Sequence, residues 1–192
     1  MKNTVKGISV VLVILLLSVA IGFGAQTLRN TLDAKAYPRE YTEFVTKYAA
    51  EYRIPETILY AVIKCESGFD STAKSSAGAI GLMQLMPDTF AYLCTRTGDN
   101  YETGMLYDPE TNIRYGAYYL SMLYDRFGVW ETAFAAYNGG PSRVQSWIDE
   151  GKVDESGHLT EIPLSETATY VERVRTATQK YENLYYTTEG VN

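Results

Sequence analysis

Glu66 closes an apolar stretch, following Val62, Ile63 and Cys65 and preceding Ser67-Gly68. A carboxyl held among apolar groups resists ionisation and can keep its proton near neutral pH. That is the state a general acid needs to protonate a leaving glycosidic oxygen. Taken alone, the position more often belongs to an ordinary exposed helix-end glutamate. Three further segments carry polar groups suited to a sugar. Gly78-Ala79-Ile80-Gly81-Leu82-Met83-Gln84 joins glycines, which permit close approach of a ligand or backbone, to an amide that both donates and accepts. Taken alone, it reads more readily as a turn followed by core Leu and Met. Ala135-Ala136-Tyr137-Asn138-Gly139-Gly140 sets an aromatic and an amide before a diglycine, which is also how a helix C-cap looks. Glu166-Thr167-Ala168-Thr169-Tyr170-Val171 opens the last helical stretch, where the helix dipole by itself favours a negative charge.

The elements that must position these groups are helical. An apolar stripe through Phe44, Val45, Tyr48 and Tyr52 predicts one helix, and Pro55 opens a second through Ile58, Leu59, Val62 and Ile63. Pro87 starts another, and Asp108-Pro109 is a capped start whose helix stops at Gly128. Trp130–Tyr137, Pro141–Ile148 and Ser165 to about Leu184 complete the set, with a loop or small hairpin at 151–164. No sustained alternation appears, so the expected class is all-α, about seven helices in one domain at 41–187.

The N-terminus is different in kind. No charged residue lies between Gly7 and Leu28, and Lys2 and Lys6 precede the run. Such a length can cross about 30 Å of hydrocarbon as a helix, and the charge bias keeps the N-terminus inside. Residues 1–30 therefore read as a single-pass membrane anchor, 31–40 as a linker and the rest as extracytoplasmic. A cleaved signal peptide is the competing reading, although its apolar region is ordinarily only about 7–15 residues. Beyond residue 30 the chain holds 14 basic and 23 acidic residues, a net of −9, which argues against a nucleic-acid partner. Two cysteines and a single His158 form no metal pattern. Outside the membrane Cys65 and Cys94 could form a disulfide or remain free thiols.

Taken together and in order, Glu66-Ser67-Gly68-Phe69, Gly81-Leu82-Met83-Gln84-Leu85-Met86-Pro87, Ala136-Tyr137-Asn138-Gly139-Gly140 and Glu166-Thr167 with Tyr170-Val171 resemble the catalytic domain of the soluble lytic murein transglycosylase family. The resemblance spans about Ile54 to Glu182, and Ser75 and Gln84 follow Glu66 by nine and eighteen residues, as in that family. It implies a goose-lysozyme-like helical fold and Glu66 as the sole catalytic carboxyl. It also implies Ser75, Met83, Gln84, Met86, Tyr137, Asn138, Glu166 and Tyr170 as groove residues, with the Tyr137 hydroxyl steadying the carboxyl. The implied partner is the peptidoglycan glycan strand. The implied reaction breaks the β-1,4 bond between N-acetylmuramic acid and N-acetylglucosamine and leaves a 1,6-anhydro end, without cofactor or metal. Cys65 and Thr72 depart from the family pattern but remove no catalytic group. Asp70 matches a position that suits a turn rather than catalysis. A lysozyme-type hydrolase on the same fold and a non-catalytic wall-binding module are the rival readings. The first would want a second carboxylate, and the second would not need Glu66.

Overall fold

The structure is a computed structural model that describes residues 2–187, with side chains from residue 16 onward. It divides into two units, Met1–Pro38 and Arg39–Asn192. The first is a single helix, α1 (Lys2–Ala36). It overruns the expected linker because residues 31–36 contain no helix breaker. The Thr31 hydroxyl bonds back to Thr27 O at 2.9 Å, and the helix ends only where Pro38 disfavours helical geometry in the residue before it. Among the described residues no helix is long and apolar enough to cross a membrane. The first half of the run expected to do so, residues 8–15, lies outside the described side chains.

Among its described residues the second unit holds seven α-helices: α2 (Thr42–Tyr52), α3 (Glu56–Glu66), α4 (Pro87–Thr97), α5 (Pro109–Phe127), α6 (Trp130–Gly139), α7 (Pro141–Asp149) and α8 (Ser165–Tyr181). A 3-10 turn at Thr103–Tyr107 and a π turn at Glu182–Tyr186 complete it. Among the described residues there is no strand, only isolated bridges such as Val153 with Leu159, the expected small hairpin. The start signals act as anticipated. Asp108 Oδ1 accepts from the Thr111 amide at 2.9 Å, with Pro109 in the tolerated first position. Gly128, at φ 74°, stops the same helix by bonding Tyr124 O.

α3 is the axis of this unit. Ile58 through Ile63 are buried without interruption, so the helix is apolar all round and needs cover on every side. α8 and α2 pack against it, α5 packs on α2 and α6, and α6 also meets α7 and α8. Much of the tyrosine content is core material: Tyr60, Tyr115 and Tyr181 are fully buried. The Tyr60 and Tyr181 rings stack at 5.3 Å. Both cysteines are free thiols, so the Cys65–Cys94 pairing is not formed. Their surroundings explain it. Cys94 belongs to a cluster with Phe90, Leu93 and Tyr115, whereas Cys65 lines an open cavity beside Glu66 and Arg173.

Candidate active site

Glu66 is the last residue of α3. The chain leaves the helix through Ser67 and then two left-handed residues, Gly68 at φ 62° and Phe69 at φ 73°. Glycine adopts that geometry freely. Phe69 is held in it by burial and by its contact with Tyr60, 6.4 Å between ring centres. Ser67 Oγ donates to Leu82 O at 2.8 Å and accepts from the Phe69 amide at 3.2 Å. The end of the acid-bearing helix is thereby tied to the 73–86 loop.

That loop is built on backbone pairing between Ile80 and Leu85 and on a buried amide that sequence reasoning missed. Asn112 of α5 accepts from Met83 N at 2.8 Å through Oδ1. Through Nδ2 it donates to Ile80 O at 2.9 Å and Leu106 O at 2.7 Å. Gly81, at φ 78°, lies so close that a Cβ there would collide with Leu106 O and the Asn112 amide. A polar residue beside Ile113 on the buried face of a predicted helix was the available signal for Asn112.

Several expected groove residues take other roles. The Met83 side chain is fully buried, packed so tightly under α5 that a Cβ at Gly116 would strike its sulfur. It therefore cannot face a ligand, and only its backbone shapes the site. The Tyr137 hydroxyl donates to Met83 O at 2.8 Å rather than to the carboxyl. The hydroxyl on Glu66 belongs to Tyr170, which donates to Oε1 at 2.7 Å. Gln84, itself left-handed at φ 47°, spends Nε2 on Gly81 O at 2.9 Å and Ala73 O at 3.2 Å. Its carbonyl oxygen is what it can offer a ligand. The Ser75 hydroxyl accepts from the Ala79 amide at 2.9 Å. Asp70 Oδ1 accepts from the Thr72 amide and hydroxyl at 2.8 and 2.7 Å, a local turn that fits its expected role.

Two cavities meet at Asn138. One, of about 420 Å³, holds Glu66, Cys65, Glu166, Tyr170 and Arg173. The other, of about 280 Å³, is lined by Gln84, Met86, Tyr119 and Tyr137. Asn138 stands where they join because its Oδ1 accepts from the buried Thr167 hydroxyl at 2.8 Å, pinning the end of α6 to the start of α8. Of the expected residues, Glu66, Glu166 and Tyr170 thus line the first cavity, Gln84, Met86 and Tyr137 the second, and Asn138 both. Ser75 lines neither cavity, and Met83 lies beneath them. A third cavity, of about 390 Å³ between α2 and α5, contains Lys47, Glu110 and Arg114 and none of the expected residues.

Burial pushes the Glu66 carboxyl from its ordinary 4.5 up to about 7, against the opposing pull of the Tyr170 hydrogen bond and the Arg173 charge. Its place at a helix C-terminus acts in the same direction as burial. Such a carboxyl exists as acid and as base near neutrality, so it can give a proton and then take one back. Glu166 is the second carboxylate in the same cavity.

The chain matches the model of the Transglycosylase SLT domain over residues 43–158. It is 37% identical over 143 residues to a soluble lytic murein transglycosylase of Escherichia coli strain K12, covering 72% of this chain and 22% of that protein. It is 30% identical over 167 residues to the membrane-bound lytic murein transglycosylase C of Actinobacillus pleuropneumoniae serotype 5b, strain L20, covering 74% and 46%. The chain thus spans less than half the length of either relative. The crystal structure of the 70 kDa soluble lytic transglycosylase of Escherichia coli superposes with a TM-score of 0.73 at 34% identity, over 80% of this chain and 26% of that one. The corresponding complex with bulgecin A gives 0.74 at 33%, with the same coverage. An inactive glutamate-to-glutamine mutant of the Pseudomonas aeruginosa enzyme gives 0.68 at 33%, over 77% and 24%. By the extent of the domain match, this chain belongs to the transglycosylase SLT family.

Proposed function

We propose that the protein is a peptidoglycan lytic transglycosylase with Glu66 as its acid and base. The observation that carries this reading is a single carboxyl pushed up to about 7 by burial and gripped by Tyr170 at 2.7 Å in an open groove. Protonated Glu66 gives its proton to the glycosidic oxygen between N-acetylmuramic acid and N-acetylglucosamine, and the bond to the muramic C1 breaks. The 2-acetamido oxygen of the substrate meets the positive charge developing there. Glu66, now ionised, takes the proton from the 6-hydroxyl as that oxygen closes on C1. A hydroxyl already held in place competes with water through its high effective concentration. The product end is a 1,6-anhydro sugar, and Glu66 ends protonated as it began, without a cofactor.

Asn138, Glu166, Gln84, Met86 and Tyr137 line the groove and are the sugar contacts in this reading. Tyr170 is the residue that steadies the carboxyl, in place of Tyr137, and Ser75 shapes the loop. Glu66→Gln should lower cleavage of purified peptidoglycan by roughly two to four powers of ten, with glycan binding retained. Wild-type turnover by that variant would remove Glu66 from the mechanism.

One observation favours a second reading. Glu166 shares the cavity with Glu66, and a lysozyme-type hydrolase uses two carboxylates. Glu166→Gln separates the two: it should leave most of the rate to a transglycosylase and little to a hydrolase. For location, we infer an extracytoplasmic enzyme held by its N-terminal segment. The long uncharged run after Lys6 supports this, as does the membrane-bound name of one relative. Cell fractionation with N-terminal sequencing tests it, and a soluble form beginning near Gln26 would overturn it.

A further inference from the structure

An α-helix leaves its last four carbonyls without partners inside the helix. At the end of α3 the Ser67-Gly68 turn takes up two of them: Ser67 N and Gly68 N reach Ile63 O, and Gly68 N also reaches Lys64 O. The next carbonyl, that of Cys65, is met from outside the helix. Arg173 Nη2, on α8, donates to it at 2.9 Å. Arg173 lies three positions after Tyr170, on the same face of that helix. Two side chains one turn apart on α8 therefore hold two consecutive residues of α3. One grips the Cys65 backbone and the other the Glu66 carboxyl, at 2.7 Å. A guanidinium on a helix's final carbonyls is a charge-assisted bond at the negative end of the dipole.

We propose that Arg173 is a positioning residue for Glu66, capping the acid-bearing helix from α8 so that Glu66 and Tyr170 keep their register. This rests on the reading of Glu66 as the reacting acid. The grip matters because α3 ends at Glu66 and the chain turns away at once through left-handed residues. Within the backbone, only the turn itself holds this end of the helix. A carboxyl displaced by about 1 Å from its productive position can lose much of its rate. The guanidinium has a second effect, since its charge favours the ionised form of Glu66 and opposes burial. The other groups around Glu66 are Cys65 on its own helix, Tyr137 and Asn138 on α6, and Glu166 and Tyr170 on α8. Among the described residues that line this cavity, Arg173 is the one cation, and Lys64 lies two positions before Glu66 on α3.

The test titrates the Glu66 carboxyl by ¹³C NMR in the full chain, for wild type, Arg173→Ala and Arg173→Lys, with cleavage kinetics alongside. Removing the cation and loosening the Tyr170 bond both favour the acid form. The Arg173→Ala midpoint should therefore rise by about half to one pH unit above the wild-type value, and Arg173→Lys should recover most of the difference. On peptidoglycan, Arg173→Ala should lower kcat about tenfold with KM within about twofold, again recovered by lysine. A midpoint within about 0.2 of wild type, or one that falls, would overturn the proposal. So would equal behaviour of the Ala and Lys variants. If the wild-type chain cleaves no peptidoglycan, the reading of Glu66 as reacting acid fails, while the titration still decides whether Arg173 governs this carboxyl.

Discussion

Glu66→Gln should stabilise the fold at pH 8 and leave it unchanged at pH 4. In the folded chain the carboxyl ionises near 7, and in the unfolded chain near its ordinary 4.5. Between those values the native state binds more protons than the unfolded one, so stability falls as pH rises through the window and levels off above about 7. The stability present below 4.5 is what the wild type loses. At about 1.4 kcal/mol per pH unit the full difference is about 3.5 kcal/mol, and the partial exposure of the side chain brings the expected loss to about 2–3 kcal/mol. Glutamine cannot ionise, is close to the acid in shape, and still offers an oxygen to the Tyr170 hydroxyl. Its stability should therefore escape this loss. Urea unfolding of both proteins at pH 4 and pH 8 reads the effect, and every other titrating group cancels in the comparison at each pH. An equal change at both pH values would refute the reasoning, and so would no gain at pH 8. Either result would mean that burial does not hold this carboxyl in its acid form.

The same electrostatics set a rate profile. Tyr170→Phe removes a donor that favours the ionised carboxyl, so the descending limb of the pH–rate curve should move upward from about 7 as the rate at neutral pH falls about tenfold. A profile unchanged in position would show that the Tyr170 bond does not act on Glu66. Asn112→Ala takes the partner from Met83 N and Leu106 O inside the protein and leaves Ile80 O with the Leu85 amide alone, so thermal unfolding should report a loss of about 2–4 kcal/mol. A loss below about 1 kcal/mol would mean that water replaces the amide. Thiol titration of the unfolded, unreduced chain should find both Cys65 and Cys94 free, and a reading of none would restore the disulfide.

Helix boundaries were legible where a residue's own chemistry imposes them. Pro55, Pro87, Asp108-Pro109, Gly128 and Pro141 mark starts and stops in the structure as they do in the sequence. The end of α1 was placed too early, because nothing in residues 31–36 signals a linker, and Pro38 alone ends the helix. The motifs did mark residues that line cavities, since Glu66, Asn138, Glu166 and Tyr170 share one and Gln84 lines a second with Asn138. Which tyrosine meets Glu66 was not legible. Tyr137 and Tyr170 both come from helices that line these cavities, and in the packed structure Tyr170 bonds Glu66 while Tyr137 bonds Met83 O. Met83 illustrates the same limit. Its neighbours Gln84 and Met86 reach the surface, but Asn112 holds the Met83 backbone and turns its side chain inward under Gly116. Arg173 carried no motif signal, because its bond goes to a backbone carbonyl on another helix.

The measurement that bears most directly on the central claim is the mass of the glycan ends released from purified peptidoglycan. If Glu66 acts first as acid and then as base on the muramic 6-hydroxyl, the ends should be 1,6-anhydro sugars, lighter than hydrolysed ends by one water and lacking a reducing aldehyde. They should disappear with Glu66→Gln. A digest dominated by reducing muramic acid would contradict the account and place Glu166, in the same cavity, in the role of second carboxylate.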